Sequence, residues 1–359
     1  RRSPQDPTAI QCNHIHTPLI LSSQRQNRFN SSYPLPNRIL HENRDASYTR
    51  YTSYPLLVIL PSADTRWDSG RGGDAKTEYK TWQIGDVKVT RVLEQEVPLP
   101  PEALIANIDP DRLKEHEAWL KPGFMNDEGQ IVLSFHALVV ESAGKTIVVD
   151  TCMGNDRPLP MEMGPLQTNF LEDLEAVVKR EQVDYVMCTH LHFDHIGWNT
   201  MKVGEEFVPT FPNAKYLFAK GEYDHWAGGP EDENIDLRFG IQPVIDAGLH
   251  ELVPDDHAIT DEITLESTPG HTPGHVSVTI ESKGQRAVIT GDMVHHPVQL
   301  AEPGWGSHPD AQPERAVETR RAFVDRYGDS DVLVIGTHFS GPTSGHIKKV
   351  GDSCRLESS

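Results

Sequence analysis

Residues 188–195 read CTHLHFDH, so three histidines and an aspartate fall within six positions. Neutral imidazoles and carboxylates are the ligand types that borderline divalent cations take from proteins. Side chains alternate with period 2 on an extended backbone, so His190 and His192 can face one way if the preceding strand runs through them. Asp194 and His195 follow, where a loop or helix start can turn them toward a neighbouring point. One tetrahedral ion cannot easily take four ligands packed this tightly, but two adjacent ions can share them. The spacing therefore hints at a dinuclear site and demands further ligands elsewhere in the chain.

Three other segments offer them, each at a strand exit. STPGHTPGH (267–275) places His271 and His275 in a Pro-Gly loop whose glycines allow the backbone bends that aim a side chain. VITGDM ends in Asp292, a carboxylate that can bridge two cations, and VIGTHFSG carries His338. Any one of these alone reads as an ordinary capping or solvent-facing residue. Four strand exits bearing ligand-type side chains in one chain point to a common site.

The elements that would position them are legible from residue 81 onward. Alternation about tight turns predicts hairpins at 82–93 and 135–151. Leu166, Phe170, Leu174, Val177 and Val178 recur at helical spacing and predict an amphipathic helix over 166–183, followed by the buried strand DYVMCTH. A second series reads as a strand at 262–268, a hairpin at 275–292, a helix at 313–328 and a strand at 331–338. The two series share Glu-Ser-x-Gly at the hairpin turn, Glu141/Ser142/Gly144 against Glu281/Ser282/Gly284, and close in Thr189-His190 and Thr337-His338. The expected fold is α+β: an αββα sandwich of two pseudo-repeated ββαβ halves, sheet against sheet with helices outside.

Charge narrows the partners. The 359 residues carry a formal net charge of −20. Residues 1–74 hold nine basic and six acidic side chains, which leaves 24 basic against 47 acidic and a net of −23 for the remainder. Such a surface repels phosphate backbones, so no nucleic-acid partner is expected. The longest apolar run, YPLLVIL at 54–60, is far short of a membrane span, and no membrane partner is expected either. Four cysteines with no Cys-x-x-Cys pair signal neither a disulfide framework nor a thiolate zinc ribbon, and a cytoplasmic setting is expected. Residues 1–75, polar and without period, read as a poorly ordered extension, native or not, and 76–359 as the folded domain.

HLHFDH, TPGHTPGH, TGD and GTH, in this order, resemble the metallo-β-lactamase superfamily over roughly residues 80–350. Local matches to IGDVKVT, VDT (149–151), FPNAKYLFAKGEYDHW (211–226), GDMVHHPVQL (291–300) and THFSGPTSGHI (337–347) make the branch of methyl parathion hydrolase and related lactonases the most similar.

The resemblance implies one metal held by His190, His192 and His271 and a second by Asp194, His195 and His338, with Asp292 bridging. His275 is then a support for its loop, Asp150 an orienting residue, and Cys152 stands where many relatives have glycine. The implied cofactors are two divalent ions, zinc foremost, with manganese, iron or cobalt compatible with the same ligands. The implied chemistry is attack by a hydroxide held between the ions on a lactone or carboxylic ester, extending to organophosphate triesters, with Asp194 and Asp292 as the catalytic carboxylates. Trp226 and His296 are the expected substrate-contacting residues, His295 also being near enough to face the site. A small-molecule ester or lactone is the expected partner, and a homodimer the expected assembly. A β-lactam hydrolase and an iron-dependent oxidoreductase are the alternative readings. Typical zinc β-lactamases use a cysteine where this chain has Asp292, and no segment is long enough for a partner redox domain.

Overall fold

The computed structural model describes residues 79–159, 164–228 and 235–358. The segment expected to be a poorly ordered extension lies outside the described residues. The first of two seven-stranded sheets runs in chain order through β1 (Thr81–Ile84), β2 (Val87–Leu99), β3 (Ile131–Ser142), β4 (Lys145–Val149), β5 (Tyr185–Cys188), β6 (Lys215–Ala219) and β7 (His250–Val253). The second runs through β8 (Ala258–Thr260), β9 (Ile263–Ser267), β10 (Val276–Ser282), β11 (Gln285–Ile289), β12 (Leu333–Ile335), β13 (Ser344–Val350) and β14 (Ser353–Glu357).

Strand alternation builds the layers. On β3, Leu138 and Val140 face a core shared with Leu265, Val276 and Val278 of the second sheet, while Ala137 and Val139 face the opposite way. The outer face of the first sheet packs on Phe170 and Leu174 of helix α1 (Phe170–Val177). Two short helices, α2 (Phe193–Ile196) and α3 (Lys220–Ala227), follow β5 and β6. The outer face of the second sheet packs on Phe323, Val324 and Tyr327 of α4 (Pro313–Tyr327). Both sheets are therefore buried on both sides, which is why their strands read as near-continuous apolar runs.

The pseudo-repeat has a structural cause. β3 and β4 meet at Ala143 (φ 50°) and Gly144 (φ 74°), and β10 and β11 at Lys283 (φ 50°) and Gly284 (φ 78°). Two successive left-handed residues match the twist of a two-residue hairpin, so the repeated Glu-Ser-x-Gly is a repeated turn. Each hairpin then leads through a helix into a parallel neighbour, β4 beside β5 and β11 beside β12.

Three elements end sooner than the sequence pattern suggests. The helix expected over 166–183 is confined to Phe170–Val177. Its leading residues are committed elsewhere, Leu166 to a bridge with Asn155 and Thr168 to the Asn155 side chain, while Val178 turns extended into the core. β12 stops at Ile335 because the chain doubles back at Gly336, where a Cβ would fall 2.1 Å from the Phe339 ring. β5 stops at Cys188, so His190 and His192 sit on a loop rather than on an extended strand.

Candidate metal centre

A buried aspartate organises the first ligand loop. Asp150, at the exit of β4, accepts the Thr189 N–H at 2.8 Å and the Thr189 hydroxyl at 2.9 Å. His195, at the end of the HLHFDH segment, directs Nδ1 to the same carboxylate at 2.9 Å. The loop therefore closes on itself, and His190, Asp194 and His195 converge through its curvature. Asp150 occupies the orienting place expected of it.

The other strand exits are aimed by equally local devices. Gly270 precedes His271 with φ 138°, and a Cβ there would lie 2.4 Å from the Ala316 backbone on α4, so only glycine lets the loop approach this helix. His275 points away from the cluster of ring nitrogens. Its Nε2 accepts the Asp292 N–H at 2.8 Å and its Nδ1 faces the Thr268 hydroxyl at 2.8 Å, so the imidazole fixes the turn that presents Asp292. His338 sits opposite Ser134, whose N–H donates to the His338 carbonyl at 3.0 Å and whose carbonyl lies 3.1 Å from His338 Nδ1.

These devices assemble two groups that share one carboxylate. His190, His192, His271 and Asp292 form the first, and Asp194, His195, Asp292 and His338 the second, with the ligand-type atoms of each within 4.8 Å of one another. His190 Nε2, His192 Nδ1 and His271 Nε2 lie 2.8–3.2 Å apart. Asp292 reaches both groups: Oδ2 is 3.5 Å from His271 Nε2 and 3.2 Å from His195 Nε2, and Oδ1 is 3.1 Å from His338 Nε2. Asp194 Oδ2 is 3.5 Å from His195 Nε2 and 3.4 Å from His338 Nε2. Asp194, with its side chain 13% exposed, and the half-buried His192 mark the side open to solvent.

The donor set fits cations. A neutral imidazole has one N–H. Where Nδ1 faces an acceptor, as His271 faces Asp310 Oδ1 at 3.2 Å, the Nε2 turned inward carries a lone pair. Burial and the neighbouring imidazoles hold His190 and His192 well below the usual histidine range, so they are neutral donors of lone pairs. Burial pushes His195 the same way, but Asp292, Asp194 and Asp150 overrule it and hold the ring well above its usual range. Burial alone would raise Asp292, yet His195, His338 and His295 hold it well below the ordinary carboxylate range, and Asp194 is held at about 2 against burial chiefly by His195. Buried carboxylates around inward-facing nitrogens call for positive charge at this point. Asp292 Oδ1 is itself buried without a hydrogen-bond donor.

The two expected substrate contacts fare differently. Trp226 is half-buried with its ring edge-on to His192, centroids 5.4 Å apart, beside the first group. His296 is turned away: its Nε2 lies 2.9 Å from the Phe124 carbonyl, its Nδ1 accepts the Val298 N–H, and burial holds it down to about 4. His295, beside it in the bend between Met293 and Val298, takes the inward side, Nε2 3.2 Å from Asp292 Oδ2 and Nδ1 2.9 Å from Ser307 Oγ. Cys152 is buried at φ 53°, a conformation suited to glycine, and burial followed by Glu94 and Asp150 pushes its thiol well up.

Some supporting residues are not marked in the sequence pattern. Asp310 braces His271 and is itself held by Arg320 at 3.0 Å, both side chains fully buried. A signal for Arg320 existed, since it lies on the same helical stripe as Ala316, Phe323, Val324 and Tyr327, and a charge on an apolar stripe calls for a buried partner. Asp310, in a loop, gave none.

Comparison with known proteins extends this picture. The family model described as the metallo-beta-lactamase superfamily matches residues 134–338, a span that holds all seven residues of the two groups. The N-acyl homoserine lactonase of Bacillus cereus is 30% identical over 111 residues, 31% of this chain and 38% of that enzyme. The alignment thus spans well under half the length of that relative. Among solved structures, the hydrolase AbOPH, described as in the beta lactamase superfamily, matches with a TM-score of 0.65 at 26% identity, covering 79% of this chain and 98% of that one. AidC, described as a dizinc quorum-quenching lactonase in complex with a product, matches with a TM-score of 0.64 at 20% identity over 78% of this chain and 97% of its own, a likeness of fold.

Proposed function

The chain belongs to the metallo-beta-lactamase superfamily, and from that premise we propose that it is a dinuclear metallohydrolase that opens lactones or cleaves carboxylic esters. The observation that carries the reading is the pair of four-residue groups sharing Asp292. His190, His192 and His271 would hold one ion and Asp194, His195 and His338 the other, with Asp292, common to both groups, shared between them. The histidine-rich donor set favours zinc. Two ions bound there would supply Lewis-acid polarisation of an ester oxygen and a lowered pKa for water.

The remaining work belongs to the chain. Asp194 sits at the solvent side and is ionised throughout the physiological range, so one of its oxygens can take the proton of the attacking water and pass it to the leaving alkoxide. His275 and Asp310 keep Asp292 and His271 in place while the charge distribution changes. Trp226 beside His192 and the half-buried Phe135, whose ring centroid lies 5.1 Å from that of His338, flank the two groups. They form apolar walls for the acyl part of an uncharged substrate. Phosphotriesters, also uncharged and with a good leaving group, are a secondary substrate class. Among the described residues no helix is long and apolar enough to cross a membrane.

The test is a panel of a γ-lactone, an aryl ester, a paraoxon-type triester and a cephalosporin, run on native, chelated and His190→Ala protein. Hydrolysis of the lactone or ester that disappears in the latter two supports the reading. Cleavage of the cephalosporin alone, or full activity in His190→Ala, contradicts it.

A further inference from the structure

Beyond the seven proposed ligands, one buried carboxylate touches the backbone of both histidine loops of the first group. Glu222 is 1% exposed and lies in the first turn of α3. Its Oε1 accepts the N–H of Leu191, the residue between His190 and His192, at 3.0 Å. Its Oε2 accepts the N–H of Gly274, which lies between His271 and His275, at 3.2 Å. Oε1 also accepts the Trp226 indole N–H at 2.7 Å. One side chain thus joins two loops some eighty residues apart in sequence and the aromatic wall beside them.

The contact is tight on the loop side as well. A Cβ on Gly274 would fall 2.0 Å from the Glu222 nitrogen and 2.4 Å from its Cα, so the HTPGH loop rests directly on the first turn of α3. Charge-assisted hydrogen bonds to backbone N–H groups are shorter and stronger than neutral ones, and an ionised carboxylate is the only common side chain that offers acceptors on both oxygens. The second group is oriented by other means, His195 by Asp150 and His338 by Ser134.

We propose that Glu222 is a positioning residue that locks the His190–His192 loop to the His271 loop, sets the affinity and geometry of the first ion site, and ties that site to Trp226. The inference rests on the reading that these histidines hold an ion. A glutamine at this position keeps the shape but replaces one acceptor with two N–H donors, which then face a backbone N–H. Outer partners of metal ligands change ion affinity by about 10–100-fold when altered.

The experiment titrates cobalt(II) into the apoproteins of the parent, Glu222→Gln, Glu222→Asp and Trp226→Phe, reading the visible absorption bands and the two affinities by chelator competition. The expected result is two ions in the parent. In Glu222→Gln one ion is weakened about 10–100-fold with altered bands and the other is unchanged. Trp226→Phe, which removes the indole donor and trims the ring beside His192 while leaving the Glu222 bonds to both loops, keeps both affinities close to the parent's. Glu222→Asp, shorter but charged, falls between and carries the comparison if the glutamine variant does not fold. Folded Glu222 variants with the parent's bands and both parental affinities overturn the inference, whatever their Tm, because a role in packing alone predicts that outcome. A parent that binds no cobalt contradicts the two-ion reading itself and, with it, this inference.

Discussion

Arg320→Met removes a charge from a place where no water can replace it. In the folded protein the Arg320 guanidinium lies 3.0 Å from Asp310 Oδ2, both side chains are 0% exposed, and a second N–H donates to the Met293 carbonyl at 3.2 Å beside Asp292. The methionine fills much of the volume, so the cavity cost is minor. Most of the loss comes from the Asp310 carboxylate, left with the Ser307 N–H at 2.9 Å and His271 Nδ1 as partners. Breaking a buried pair by removing one partner costs about 3–5 kcal/mol. At an unfolding entropy of about 2.1 cal/mol/K per residue over a folded part of about 280 residues, that lowers Tm by roughly 5–9 °C. The assay is thermal unfolding of the apoprotein by circular dichroism, with Asp310→Asn and the double variant completing a cycle. The double variant should recover part of the loss, since the stranded charge is gone. A loss below about 1 kcal/mol in Arg320→Met, or a double variant as unstable as the two losses summed, rules out a stranded Asp310 charge as the cause.

The same pair gives a pH dependence with a definite sign. Burial alone would raise Asp310, but its hydrogen bond to His271 and the Arg320 charge hold it well below the ordinary carboxylate range. A depressed folded pKa contributes stability that is fully present above the unfolded value, near 4 for Asp, and is lost as pH falls through the folded value. The stability gap between parent and Asp310→Asn apoproteins should therefore be constant near neutrality and narrow below about pH 4. A gap that widens on acidification contradicts this.

Removing the ions with a chelator should abolish hydrolysis and lower Tm, since an ion held at 100 times its Kd stabilises the fold by about 2.7 kcal/mol; restoring zinc should reverse both in a melting assay. Gly291→Ala should cost about 1–3 kcal/mol, because Gly291 has φ 56° and a Cβ there would lie 2.4 Å from His275 Nε2, the atom that holds the Asp292 backbone; denaturant unfolding measures it. His296→Gln should lower stability with KM unchanged, whereas Trp226→Ala should raise KM for acyl substrates, a contrast that steady-state kinetics on one lactone resolves.

Much of the candidate site was legible because metal chemistry restricts the residue types and strand exits restrict their places. Those two constraints marked His190, His192, Asp194, His195, His271, His275, Asp292 and His338 as candidates, the family resemblance selected His271 over His275, and the seven that remain lie in the two groups the fold assembles. What brings the HLHFDH histidines together was not legible. Curvature imposed by Asp150, forty residues upstream, replaces the strand alternation that the spacing suggested. The choice between His295 and His296 turned on the phase of one short segment, which adjacent identical residues cannot reveal. Nothing around Asp310 in the sequence marks it, and Glu222, though inside the 211–226 match, acts through bonds to Leu191 and Gly274 that the sequence does not show. The layer order followed from apolar strand runs and the repeated turn, whereas the ends of α1 and β12 depended on Asn155 and Phe339, contacts that periodicity does not carry.

If two ions held by these seven side chains drive hydrolysis of a lactone or ester, turnover must follow their loading. Lactone ring opening, followed by pH-stat while zinc is titrated into the apoprotein, measures this. No turnover is expected without metal, and activity should reach its plateau at two bound ions per chain. Turnover by the metal-free protein, or ring opening that is absent when both ions are bound, would contradict the dinuclear mechanism.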